Sequence, residues 1–400
     1  MKITQIAATL NDVFTQEGIG ESAVVLEDLS NIVDVGKTVL DYTSNTQNFD
    51  SVISKLIDQI GRTIFVDRSY TSQAPNILKD SWEYGSVLQK VRCELQDAQD
   101  NATWDLSSYI NAGVGDDKYP DPFELTPPNV EAKFYNSKVT FEVPITLTQV
   151  QLKQAFRSAS DMNRFFAMIE NRIAMKMTLS TDALIMRTIN NLIGCKIADN
   201  NNVVNLLQGY KTQTGKTISA DAARTDADFL RYAAKTMMLY KKYLESASML
   251  YNNAGYVTFT PADKLKFVAL ADFSKSMDAY LYSDVYHNEF VKLPGFEEVG
   301  YWQGTGTAAD SDASYDERSR IVATVIKEDG QTAGVDQSGI VGVMFDEEAA
   351  MVANENYRVT SIYNPRGEYT NYFYKWDAMY LNDLAENCVV FVIDDSEEEI

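Results

Sequence analysis

MNRFFAMIENRIAMKMTLSTDALIMRTINNLI, Met162 to Ile193, is the stretch that decides the architecture. It lies in a longer segment, Ile145 to Ile193, that contains neither Gly nor Pro, and Gly194 follows as a natural C-terminal stop. Phe165, Ile169, Ile173 and Met177 step by four along one stripe, and Ile185, Ile189 and Leu192 or Ile193 continue the apolar face after a slip near Ser180, Thr181 and Asp182. Read as one helix, residues 162–193 are ~48 Å long, a spine for the molecule. Ser and Asp are also good N-caps, so two stacked helices broken at Ser180 are the alternative.

Upstream, Val87, Val91, Cys93 and Leu95 alternate with Leu88, Lys90, Arg92 and Glu94, and Val139, Phe141, Val143 and Ile145 alternate with Lys138, Thr140, Glu142 and Pro144. Period two predicts two half-buried strands. The polar stretch between them holds Pro120, Pro122, Pro127 and Pro128, four of nine prolines, and is too long for a tight hairpin turn. Pro144 lacks a ladder donor, which places its strand at a sheet edge or end. A long two-stranded arm has little core of its own, so its packing partner lies elsewhere, on another subunit or back on its own domain.

Residues 1–48 are polar, poor in aromatics, and read as an arm; Phe49, Val52, Ile53, Leu56, Ile57 and Ile60 predict a helix stopped by Gly61. Downstream, Thr225 and Asp228 suggest a capped start for a helix carrying Leu230, Ala233, Ala234, Met237 and Leu244. Strands are expected at 256–260, 320–327, 340–345, 357–362, 369–376 and 388–393, and a helix at 262–276. Strands arriving from distant parts of the chain define an α+β organisation.

The 400 residues carry 57 acidic and 35 basic side chains, a net charge of −22, which disfavours a chain built to grip phosphate backbones or anionic lipid. With 23 Tyr, 18 Phe and 4 Trp the chain is not disordered despite its acidity. The single His287 and scattered Cys93, Cys195 and Cys388 offer no zinc-ligand spacing, and the odd cysteine count fits a reducing compartment. The N-terminus does not read as a signal peptide, and no window has the length and apolarity of a membrane span.

Gly-Lys-Thr occurs at Gly36 and Gly215, but the glycine a phosphate loop needs five residues earlier is Asn31 in one case and Tyr210 in the other. Gly304-x-Gly306-x-x-Ala309 is followed by Asp310, Asp312, Asp316 and Glu317, negative charge where a pyrophosphate would sit. A calcium site on those carboxylates would lack the EF-hand spacing. His287, with Asp284 and Glu289 nearby, has no serine elbow to serve. Paired carboxylates for glycoside chemistry stay open, because spatial separation is invisible in a sequence. The densest aromatic run, Tyr369 to Trp376, puts Tyr372, Tyr374 and Trp376 on one face, without the surrounding cations that nucleic-acid stacking uses; core or subunit contact fits better.

Tyr363 to Tyr374, YNPRGEYTNYFY, resembles a motif near the C-terminal end of major capsid proteins from small short-tailed bacteriophages of the phi-twenty-nine type, and Ala385 to Val392, AENCVVFV, resembles their closing strand. The wider layout is similar to the Hong Kong 97 capsid fold. The resemblance implies an N-terminal arm at 1–48, a peripheral domain with the spine helix at 49–65 and 147–220, an extended loop at 66–146 lying over a neighbouring subunit, and an axial domain at 221–345. It further implies peripheral-domain return strands at 346–385 and an axial closing strand with acidic tail at 386–400. By the same resemblance the chain is a structural, non-enzymatic subunit of an icosahedral head enclosing double-stranded DNA, made in the host bacterial cytoplasm, with no cofactor or metal. It would assemble with itself as pentamers and hexamers, with scaffolding and portal proteins and with head-fibre or decoration proteins, and contact packaged DNA without specific binding. Asn364, Pro365, Arg366, Gly367, Tyr369, Tyr372, Tyr374 and Trp376 are the expected subunit-interface residues. Some relatives append an immunoglobulin-like domain after the closing strand; here Asp394 to Ile400 follow instead. No Lys and Asn pair for covalent crosslinking is identifiable from the sequence. An encapsulin-like compartment shell and a carbohydrate-binding or carbohydrate-active protein are the alternatives.

Overall fold

The computed structural model describes residues 74–79, 88–93, 127–148, 159–282, 295–303, 318–327 and 330–395, with isolated residues in the first 35 and at 72 and 125. The helix expected at 49–61, the acidic loop 310–317, His287 and the first Gly-Lys-Thr lie outside the described residues.

The spine is a single helix, α1, Ala159–Ala198, 40 residues and ~60 Å long. It runs through Ser180 without a break. Thr178 and Thr188 donate their hydroxyls back to the carbonyls of Ala174 (3.0 Å) and Leu184 (2.8 Å), satisfying themselves inside the helix instead of capping a new one. Gly194 does not end it either. A Cβ there would lie 2.9 Å from Val325 Cγ1, so this glycine is the point where a strand approaches the helix backbone. The actual stop comes after Ala198, where Asn200 and Asn202 take left-handed φ of 47° and 61°, a conformation that asparagine tolerates better than most residues.

One face of α1, with Leu184, Ile185, Ile189, Leu192 and Ile193 buried, packs on a five-stranded sheet. Its strands are β5 (Val203–Asn205), β6 (Leu265–Leu270), β7 (Glu297–Val299), β10 (Ile340–Asp346) and β13 (Cys388–Val392), in the order β5-β13-β10-β6-β7. Every residue of β10 and β13 is buried, because both sheet faces are covered. Val343, Phe345, Val390 and Val392 face the spine cluster. Val341, Met344, Val389 and Phe391 face a second cluster made with α2 (Leu206–Thr214), α4 (Ala227–Leu244) and α5 (Ala271–Tyr282). A bulge between Ile340 and Gly342 resets the alternation so that Ile340 and Val343 share a face.

Two sequence expectations change here. The helix expected at 262–276 begins as strand β6, whose Phe267 to Leu270 form an unbroken buried run that period alone does not separate from helix. The stretch 256–260 forms only the isolated bridge Thr258 to Ser248. The α4 cap is Asp226, which accepts the Phe229 amide at 2.7 Å; Thr225 instead donates to Ala222 at the end of the short helix α3 (Ala220–Ala223). At the second Gly-Lys-Thr, Gly215 is the left-handed residue that closes α2 (φ 70°), and Lys216 pairs with Asp228 at 3.0 Å.

The second sheet has the order β1-β11-β12-β4, from β1 (Leu78–Lys79), β4 (Lys138–Thr148), β11 (Ala350–Asn364) and β12 (Tyr369–Asn382). Pro144 sits on the edge strand β4, opposite Phe373. The strand of 138–148 does not pair with that of 87–95, as the two-stranded arm required. Instead β2 (Leu88–Cys93) pairs with β3 (Val130–Tyr135), and two residues later the chain enters β4 alongside β12. A further ribbon, β8 (Ile321–Ile326) with β9 (Thr332–Gln337), rests on the C-terminal part of α1 through Val325, Val335 and Cys195. Among the described residues no helix is long and apolar enough to cross a membrane.

Candidate assembly interface

The β2–β3 register sets Lys90 opposite Lys133 and Arg92 opposite Glu131 on one face, and Gln89 opposite Phe134, Val91 opposite Ala132 and Cys93 opposite Val130 on the other. The charged face is the one that packs inward. Lys90 Nζ donates to Asp383 Oδ2 at 2.8 Å and to Glu386 Oε1 at 2.6 Å, Arg92 pairs with Glu386, and Lys133 stands 3.6 Å from Asp383. Both acids belong to the turn that links β12 to β13. Tyr256 adds a hydrogen bond from its hydroxyl to Glu131 at 2.6 Å, and the Arg92 guanidinium lies 5.5 Å from the Tyr256 ring centre.

Asp383 is held rigidly from below. Its amide donates to Ala349 (2.8 Å), and its carboxylate accepts the Ala385 amide (3.1 Å) while only 1% of the side chain is exposed. Burial by itself pushes this carboxyl up, but Lys90 and Lys133 reverse the sign and hold it below the ordinary aspartate value. The complementary balance acts on Lys90: burial lowers it, and Asp383 and Glu386 more than compensate, leaving it raised. Burial and a hydrogen bond to Asp383 likewise raise the Tyr135 hydroxyl.

With its cations turned down onto the body, the hairpin turns its apolar residues out. Val91, Val130 and Phe134 are 60, 55 and 65% exposed. Such a face has no buried partner within the described chain, and it reverses the expectation that the valine side of this strand is the half-buried one.

At the far end of the second sheet, Asn364 and Tyr369 close a tight turn. Asn364 Oδ1 accepts the amides of Arg366 (3.0 Å) and Gly367 (3.2 Å), and Asn364 Nδ2 donates to the Tyr369 hydroxyl at 2.8 Å. Glu368 takes a left-handed φ of 50°, and a Cβ on Gly367 would run into the Tyr369 ring. Pro365, Arg366 and Gly367 are exposed, whereas Tyr372, Tyr374 and Trp376 are 1, 1 and 2% exposed. The eight expected interface residues therefore split. Asn364 to Gly367 and Tyr369 form the tip, and the three aromatics are core of the same chain, with Trp376 5.2 Å from Phe141 of β4. The aromatic alternation marked a buried face correctly but not whose core it fills. Asp383 and Glu386 had no sequence signal, since two acids among 57 gain meaning only when Lys90 and Arg92 are placed above them.

A long spine shared by two sheets carries an outward apolar strand pair, β2–β3, and an exposed turn at Asn364 to Tyr369. The sequence model of the Phi29-like phage major capsid protein family matches residues 9–392, and the chain belongs to that family. Its fold is Hong Kong 97-like, and it is a structural protein of the phage head that assembles into the capsid. Solved structures similar to it include the capsid of Staphylococcus phage Andhra (10% identity, 82% of this chain and 86% of that one, TM-score 0.49). Microbacterium phage Oxtober96 (9%, 82 and 93%, TM-score 0.42) and the capsid of cyanophage P-SCSP1u (9%, 82 and 90%, TM-score 0.41) are also similar. No curated protein sequence matches significantly. The family assignment gives no support to an encapsulin-like or carbohydrate-directed reading.

Proposed function

We propose that the subunit closes its shell through two surfaces, the outward face of the β2–β3 hairpin and the Asn364 to Tyr369 tip, each laid on a neighbouring copy within pentamers and hexamers. The observation that carries this is the inverted hairpin: a strand pair that spends its charged side on its own body and leaves Val91, Val130 and Phe134 exposed. On this reading residues 66–146 are the extended loop, 49–65 and 147–220 the peripheral domain with the α1 spine, 346–385 its return strands, and 221–345 with 386–400 the axial domain. Residues 1–48 are the arm. Scaffolding, portal and head-fibre or decoration proteins are the proposed partners. Packaged DNA is enclosed without specific binding, in keeping with a net charge of −22. The subunit has no catalytic role.

The tip is tested by Arg366→Ala. Arg366 is exposed and its guanidinium suits an acidic partner across a boundary. The variant monomer is expected to keep its thermal midpoint while shell yield, counted by electron microscopy after assembly, drops at least several-fold. Normal shell yield removes Arg366 from the interface.

A further inference from the structure

The outward side of α4 departs from an ordinary solvated helix face. Phe229, Leu230, Ala233, Ala234, Met237 and Leu244 bury one side of the helix. On the opposite side Lys235, Met238, Leu239 and Lys242 follow at i, i+3, i+4 and i+7, with Tyr243 one turn beyond Leu239. All five are exposed; Met238, Leu239 and Tyr243 are 38, 42 and 45% exposed where charged and polar residues are expected. The charge of the helix is equally unlike its surroundings. α4 carries Arg231, Lys235, Lys241 and Lys242 against Asp228 alone, in a chain of net charge −22. We infer that this stripe is a docking face for a second protein, which presents an amphipathic helix with an apolar seam on Met238 and Leu239 and acidic flanks on Lys235 and Lys242.

The two lysines stand one turn before and one turn after the apolar pair, about 10 Å apart along the axis, as charged flanks stand beside the seam of paired helices. Methionine makes that seam adaptable to the shape of its partner. The ion pairs already on this face are weak: Lys242 meets Glu245 at 3.0 Å while 74% exposed, and Arg231 meets Asp228 at 3.4 Å. A partner carboxylate brought down with apolar burial displaces them. A second copy of this chain fits less well, because stripe against stripe sets lysine against lysine. The other exposed apolar pair on a described helix, Met175 and Leu179 of α1, is itself flanked by Arg172 and Lys176. A nucleic-acid duplex fits less well too, since phosphates gain nothing from Met238, Leu239 and Tyr243 and the net charge of the chain repels them. The stripe shares no residue with the hairpin or the tip proposed above as shell contacts.

The test titrates the unassembled full chain, by fluorescence anisotropy, into a labelled synthetic helix of about three heptads with leucine along the seam and glutamate on both flanks. Saturable binding is expected. It should weaken at least tenfold in Lys235→Glu/Lys242→Glu and in Met238→Ser/Leu239→Ser, with thermal midpoints close to that of the unaltered chain. A second peptide, with lysine in place of glutamate, should bind the unaltered chain at least tenfold more weakly, yet bind Lys235→Glu/Lys242→Glu better than the glutamate peptide does. A misfolded variant does not produce that exchange of preference. Phe134→Asp should leave peptide binding unchanged, so loss of the hairpin contact and loss of this face are read separately. No saturable binding of the glutamate peptide overturns the inference, as does equal binding of both peptides, or binding undiminished in Lys235→Glu/Lys242→Glu. A duplex DNA probe that binds through the two lysines while the glutamate peptide does not bind assigns the face to phosphate and overturns it. Self-association of the unaltered chain in sedimentation, lost in Lys235→Glu/Lys242→Glu, assigns the face to a second copy and overturns it as well.

Discussion

Among the carboxylates held below their ordinary value, Asp377 and Asp383 act on different parts of the fold. Asp377 on β12 accepts from Arg358 (2.7 Å) and Thr140 (2.6 Å), with Lys138 at 3.3 Å. Arg358 is the largest cause that brings it from 3.8 to about 2. A carboxyl depressed in the folded state stabilises above its unfolded value and loses that contribution as pH falls through the folded one. The Asp377 contribution is therefore complete above pH 3.8 and vanishes toward pH 2. Asp377→Asn should flatten the stability profile in that window in urea titrations, and an unchanged acid slope would remove Asp377 from the account. Asp383 acts on the hairpin. Replacing it by Asn leaves Lys90, Arg92 and Lys133 with one acid fewer beneath them. Breaking a buried pair costs several kcal/mol, but these cations keep some water contact, so about 2 kcal/mol is expected. Protease cleavage within 88–93 should accelerate in step, and equal cleavage in both proteins would detach the hairpin from this acid.

At the scale of elements, the contact between α1 and the β8–β9 ribbon depends on an absent side chain. Gly194→Ala offers a gain of about 1 kcal/mol in helix propensity. The new Cβ would stand 2.9 Å from Val325 Cγ1, and overpacking of a buried contact costs about 1–3 kcal/mol, so the net effect should be destabilising. The double variant with Val325→Ala should recover stability relative to Gly194→Ala alone. No recovery in chemical denaturation would place the strain elsewhere. This glycine shows where reading the sequence reaches its limit. The spine was legible because a run free of Gly and Pro with four-residue apolar steps has few other solutions. Its end was not, because Gly194 answers to Val325, 131 residues later, and the real stop is made by Asn200 and Asn202. β6 was misread for a related reason: burial on both faces erases the alternation that marks a strand. The hairpin fared differently. Its period was visible in Lys90, Val91, Arg92 and Cys93, but which side faces inward is decided by Asp383 and Glu386 at the other end of the chain.

For the whole molecule, the balance to explain is how copies carrying a net charge of −22 each associate at all. Like-charged subunits repel over a Debye length of about 8–10 Å at moderate salt, so attraction must come from contacts of shorter range. The outward stripe of Val91, Val130 and Phe134 is of that kind, and its area is not needed to hold the monomer together, because Phe134 is 65% exposed. Phe134→Asp therefore belongs to assembly. As an exposed substitution it should change monomer stability by no more than about 0.5 kcal/mol. It also removes apolar area and adds a charge where a neighbour would sit, so shells counted by electron microscopy and sedimentation should fall at least tenfold. Raising salt separates the two effects, since it screens the added charge but does not restore the lost ring. Phe134→Ser, neutral at every salt, should be deficient to a salt-independent degree, and Phe134→Asp should approach it from below as salt rises. Shell yields equal to the unaltered chain for both variants would mean that the hairpin's apolar face stays in solvent in the head.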